Sequence, residues 1–98
     1  MAKLTTVYWR DIPAQVIAKE RRDTAKIVLS ERFAEAIDKA AMRAKMAGTD
    51  AYLEQWRREV VNCGKDLQAV VDEAAAELEK SYDDARLEVL VSNGGLNA

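Results

Sequence analysis

Apolar and polar positions alternate along residues 4–10. Leu4, Thr6 and Tyr8 fall on one side and Thr5, Val7 and Trp9 on the other. Period two with β-branched and aromatic residues predicts a strand. Neither side is purely polar, so both faces are expected to be partly covered. Asp11-Ile12-Pro13-Ala14 predicts a turn. Proline biases Ile12 toward an extended backbone, and Asp11 can hydrogen-bond the chain ahead of it. Residues 15–18 read as a second strand, giving a hairpin. The charged run Lys19-Glu20-Arg21-Arg22-Asp23 predicts the next loop, and residues 24–29 a third strand that completes a meander.

At Ser30 the period changes. Ser30 suits an N-cap, and Glu31 in the first turn complements the helix dipole. Phe33, Ile37, Ala40, Ala41 and Ala44 recur every three or four residues. That stripe predicts a helix over residues 31–47, about 25 Å long, with Gly48 just past its end. Thr49-Asp50 can open a shorter helical segment, with Tyr52, Leu53 and Trp56 on one face. Residues 57–62 fit either a continuation of that helix or a short strand. Cys63-Gly64 breaks the chain. A third helix is predicted from Lys65-Asp66 to about Tyr82, with Leu67, Val70, Val71, Ala74, Leu78 and Tyr82 on its apolar face. Leu87, Val89 and Val91 alternate and predict a last strand over residues 86–91. Residues 92–98, with Asn93-Gly94-Gly95, are expected to form a flexible tail. The fold class is therefore α+β. An N-terminal antiparallel hairpin or meander packs on two main helices plus a shorter helical segment, in one domain over residues 1–91.

Composition narrows the class. At 98 residues, 49% apolar and 33% charged, the chain suits one modest core. No apolar run approaches the roughly 18 residues of a membrane helix, and residues 1–6 lack the apolar core of a secretory signal. A single cysteine, Cys63, excludes an internal disulfide. Together these give a cytoplasmic expectation. The net charge of −2 argues against nucleic acid as the partner. Charge is unevenly spread: residues 1–58 carry 12 basic against 8 acidic side chains, residues 59–98 carry 3 against 9. Attraction between two halves of one domain explains the contrast most simply.

Tyr8-Trp9-Arg10-Asp11-Ile12-Pro13-Ala14-Gln15-Val16, then Ser30-Glu31-Arg32-Phe33 with residues 36–42, then Tyr52-Leu53-Glu54-Gln55-Trp56-Arg57-Arg58, resemble a small bacterial family generically labelled virulence factor. Its proteobacterial members are stand-alone proteins of about this length, and a similar module is attached to a conserved virulence factor in some Gram-positive bacteria. The resemblance covers roughly residues 4–88 and is most specific at its first motif. It carries no catalytic residues, cofactor or ligand to this chain. Stand-alone members are often encoded near folate- and corrinoid-dependent methyl-transfer enzymes, which implies an accessory role beside them.

The chemistry open to the chain is limited. There is no histidine, which removes histidine bases and the usual zinc and iron ligand sets. No glycine-rich phosphate loop is present. Cys63, before Gly64, Lys65 and a helix start, is the candidate reactive thiol. The plainer reading is a small thiol with no role. A small-molecule binder or thiol-dependent enzyme would use Cys63, Tyr8 or Lys26. Glu31, Glu35 and Asp38, like Glu73 and Glu77, form helical carboxylate stripes, but without the histidine that di-metal bundles add; they read as solvated faces. No metal or cofactor is expected. Tyr8, Trp9, Arg10, Tyr52, Trp56, Arg57 and Arg58 form the candidate interaction surface, because aromatic residues and arginine dominate binding hot spots. Core packing is the competing role for both tryptophans. The leading expectation is a non-catalytic interaction or accessory module that docks on a larger protein, with a homodimer through an edge strand or hairpin face as the alternative.

Overall fold

The computed structural model describes residues 2–97; Met1 and Ala98, the last residue of the expected tail, lie outside the described residues. The alternating N-terminal segment forms strands β1 (Lys3–Trp9), β2 (Ile12–Glu20) and β3 (Asp23–Val28). Helices α1 (Glu31–Arg43) and α2 (Asp50–Glu54) follow, then strand β4 (Trp56–Asn62) and helices α3 (Leu67–Ser81) and α4 (Asp84–Ser92). The sheet is antiparallel throughout in the order β3-β2-β1-β4. The fold is α+β, and the ambiguous stretch 57–62 is resolved as a strand.

The hairpin turns are tighter than expected. The first is Arg10-Asp11, because Trp9 already pairs with Ile12. Pro13 lies inside β2, opposite Tyr8, where the ladder shifts by one residue and leaves Ala14 unpaired. A bulge is where a strand tolerates a missing N–H at least cost. The second turn is Arg21-Arg22, since the charged run pairs as far as Glu20 with Asp23. Arg10 and Arg21 take φ values of 53° and 55°, the left-handed geometry of tight hairpins.

α1 ends four residues earlier than its alanine stripe predicts. Lys45, three residues before Gly48, is the left-handed residue that ends the helix, at φ 60°. The Lys45 N–H donates to Met42 C=O and the Met46 N–H to Ala41 C=O, which closes the last turn as a Schellman motif. At its start, Ser30 makes no side-chain cap of its own. Its N–H and Oγ–H donate instead to the two carboxylate oxygens of Glu79 on α3, each at 2.8 Å.

The last strand expected from the alternation of Leu87, Val89 and Val91 is a helix, α4. Asp83 accepts the Arg86 N–H at 2.8 Å and caps it. Leu87 and Leu90, three apart, are the residues it buries, while Val89 is left exposed. Residues 93–97 carry contacts that the tail expectation did not foresee. Gly94 and Gly95 are buried at the hairpin tip. The Asp11 N–H donates to Gly95 C=O at 2.8 Å, and the Asn97 N–H to an Asp11 carboxylate oxygen at 2.7 Å.

One core results. Val16 and Ala18 of β2, Phe33, Ile37 and Ala40 of α1, Val71 of α3, and Leu87 and Leu90 of α4 are buried together with Trp9 and Ile12. α3 lies across β2 and β3, and α1 packs on α4 and β2. β4 is left outside this arrangement: all seven of its residues are exposed. No helix is long and apolar enough to cross a membrane among the described residues.

Candidate functional site

The seven residues of the expected interaction surface are divided by the fold. Trp9 is fully buried and offers no surface. Its indole N–H donates to Tyr52 C=O at 2.9 Å, and the Tyr52 ring stacks on it at 5.6 Å between centroids. Tyr52 is half-buried, and its ring also meets Trp56 edge-on at 6.1 Å.

Arg10 acts as a clamp inside the fold. Its guanidinium donates to the Gln55 side chain at 3.2 Å, to Gly94 C=O at 3.0 Å and toward Met46 Sδ at 3.2 Å, and it lies over the Trp9 ring. It joins the β1–β2 turn to three segments distant in sequence. Arg57 is similarly engaged. It donates to Arg10 C=O at 2.7 Å, pairs with Asp11 and Glu59, and sits 4.4 Å above the Tyr8 ring. Burial pushes the Tyr8 phenol up, and nearby Glu59 adds to the shift, so Tyr8 stays protonated at neutral pH. Of the seven, Trp56, Arg57 and Arg58 are exposed, and of these Arg58 takes part in no ion pair among the described residues.

A different surface emerges from the register. Side chains paired across antiparallel strands share a face. One row across the four strands is Lys26, Ile17, Thr5 and Val60; the next is Val28, Gln15, Val7 and Arg58; a third is Thr24, Lys19, Lys3 and Asn62. None of these residues belongs to the core cluster, whose sheet members Val16, Ala18, Ala25 and Ile27 point the other way, under the helices. The sheet is thus covered on one face over these rows. The open face carries Lys3, Lys19, Lys26 and Arg58 and no carboxylate. Between the cations stand Val28, 65% exposed, and Val60, 58% exposed. Beside them Trp56, Val7, Gln15, Arg57 and Arg58 line a shallow depression of about 330 Å³.

The residues proposed for thiol or small-molecule chemistry do not meet. Lys26 is on the open face, and Tyr8 is on the opposite side of β1, near Tyr82 and Arg86. Cys63 follows β4, with its N–H donating to Ala2 C=O. It is half-buried against the core and six residues from the Arg57 that pairs with Tyr8, about 20 Å along a strand. No three acidic or thiol side chains converge on a possible metal position among the described residues. Glu31, Glu35, Asp38, Glu73 and Glu77 are all exposed.

Lys3, Lys19, Val28 and Val60 are the surface residues that the sequence reading missed, and Lys26 is one it singles out only for small-molecule chemistry. Their period-two spacing is visible, but which positions line up across strands depends on a pairing of β1 with β4 more than fifty residues away.

Comparison with known families gives one match: a family model described as Virulence factor covers residues 7–91. No curated protein and no solved structure matches the chain.

Proposed function

The chain belongs to the Virulence factor family, and from that premise we propose that it is a non-catalytic interaction module, cytoplasmic, that docks on a larger protein through the open face of its sheet. One observation carries the reading. Three rows of one sheet face are left without a covering layer, and around the buried Val7 they combine exposed apolar side chains with four cations and no acid. An uncovered mixed patch of this kind is what a partner surface needs: apolar area for affinity and unpaired charge for steering and register. The scattered positions of Cys63, Tyr8 and Lys26 favour docking over catalysis at a shared site.

The chain's negative net charge conceals this basic face, because the acidic excess lies on α3, α4 and their flanks. The partner should accordingly present acidic side chains around an apolar centre. The methyl-transfer enzymes implied by the family resemblance are the first larger proteins to offer it.

The test is Lys26→Glu combined with Arg58→Glu. Both side chains are exposed, so folding should be unaffected. Capture of the native partner from the host should fall at least tenfold, and more steeply at low salt. Unchanged capture overturns the reading. So does tight binding of a single-stranded oligonucleotide by the wild-type protein that the double variant loses, since that would make the face a nucleic-acid surface.

A further inference from the structure

We propose that β4 pairs with β4 of a second copy of this chain, antiparallel about a two-fold axis, joining two four-stranded sheets into one of eight strands. The proposal starts from a regular edge whose charged residues, Arg57, Arg58 and Glu59, are its one guard. β4 is seven residues long, every residue is exposed, and its ladder to β1 runs without a shift from Trp56 to Asn62. It contains no proline and no bulge, and both faces carry exposed valines, Val60 and Val61. Proteins usually guard such an edge with a bulge, a proline or a covering segment, because its free N–H and C=O groups invite another strand.

The backbone groups that point outward can be named. The β1–β4 ladder is continued at one end by Arg10 N–H on Gln55 C=O and at the other by Cys63 N–H on Ala2 C=O. Antiparallel alternation between those ends turns the backbone of Arg57, Glu59 and Val61 toward β1. Trp56, Arg58, Val60 and Asn62 therefore present their N–H and C=O groups to the free edge.

Symmetry and charge select a second copy as the occupant. A two-fold axis perpendicular to the sheet at Glu59 places Arg58 opposite Val60 of the second copy and Trp56 opposite Asn62. All seven residues of each strand are then used, and outward groups meet outward groups. The two Glu59 carboxylates face each other at the axis, which alone would be repulsive. Arg57, already ion-paired with Glu59 in its own chain, lies diagonal to the other copy's Glu59. Two arginines so stand between two glutamates across the axis, each arginine also holding Asp11 of its own chain; β4 supplies both halves of its own complement. The same axis keeps both sets of helices on one side, so the open faces become one continuous bivalent surface.

Sedimentation of the full chain tests this. The expected result is a species of twice the 10.9 kDa monomer; a monomer at every concentration from about 1 µM to about 1 mM overturns the proposal. Val60→Pro removes an outward N–H only, so it should give a folded monomer with an unchanged circular-dichroism spectrum. Val60→Lys, which places a cation opposite Arg58 of the second copy, should do the same and covers the case in which the proline variant fails to fold. A dimer that survives Val60→Lys overturns the proposal. The register is tested in a Cys63→Ser background. Glu59→Cys should oxidise to a covalent dimer, because directly opposed residues of a non-hydrogen-bonded pair lie about 4.5 Å apart at Cα. Val61→Cys should not; equal cross-linking of the two overturns the assigned axis.

Discussion

Gly95→Ala tests how the C-terminal residues are held. Gly95 has φ +93°, and a Cβ there would lie 2.7 Å from Trp9 Cζ3 and 3.1 Å from Cε3. Two penalties follow. An L-residue in this backbone region costs about 1–3 kcal/mol. Forcing a methyl group against a fully buried indole costs about 1–3 kcal/mol more, since Trp9 is stacked on Tyr52 and the Ala40 Cβ lies 3.5 Å from the same methyl position. Lower entropy of the unfolded chain returns about 0.4–1 kcal/mol. The middle of these ranges gives a net loss of about 3 kcal/mol, from a total of about 5–15 kcal/mol for a domain of this size. Gly48→Ala is the control. Gly48 also has positive φ, at +76°, but nothing lies within 4 Å of a Cβ there. It should lose only the strain part, so the difference between the two variants isolates the contact with Trp9. Urea unfolding measures both, and an unchanged m-value keeps the comparison valid. The thermal midpoint of Gly95→Ala should fall by roughly 10–30 °C. If Gly95→Ala costs no more than Gly48→Ala, the packing of residues 94–95 on Trp9 is refuted.

Two further substitutions probe the clamps between distant segments. Burial raises the Glu79 pKa, but hydrogen bonds from the Ser30 N–H and Oγ–H and the Arg32 guanidinium outweigh it, leaving the carboxyl below its usual range. A lowered folded value means that the stabilisation is present above the ordinary glutamate pKa and is lost as pH falls through the folded one. Glu79→Gln should therefore cost about 1 kcal/mol at pH 7, a figure kept small by the group's partial exposure, and the gap to wild type in urea melts should shrink below about pH 4. Arg10→Ala removes three side-chain hydrogen bonds and the cation over Trp9, and should cost about 2–3 kcal/mol, whereas Arg58→Ala should stay within about 0.5 kcal/mol; equal losses in parallel unfolding experiments would place the two arginines in similar surroundings, against the structure.

Local signals in the sequence were read well where they decided the structure. Alternation over residues 4–10 gave β1, the Phe33–Ile37–Ala40 spacing gave α1, and Asp66, which accepts the Ala69 N–H, opened α3. Residues 86–91 went wrong because Leu87, Val89 and Val91 satisfy period two while Leu87 and Leu90 satisfy a helical spacing; the cap at Asp83 and burial against α1 choose the helix. Arg10 and Trp9 looked like surface anchors because their chemistry suits hot spots. What internalises them is non-local: Met46, Gln55 and Gly94 reach Arg10, and Tyr52 and Gly95 reach Trp9. The open face was illegible for the same reason. Its rows exist only once β4 has paired with β1, and only the covered side announces itself as an apolar stripe.

Site-specific photo-cross-linking in the native host tests the docking claim most directly. A benzophenone side chain at Val28 or Val60 reports the open face, and one at Glu35 or Glu73 reports the exposed helical side. Adducts to one larger protein are predicted from Val28 and Val60, with adducts to a second copy of the chain also expected from Val60, and none from the helical positions. Adducts from Glu35 or Glu73, with none from the sheet face, would contradict it.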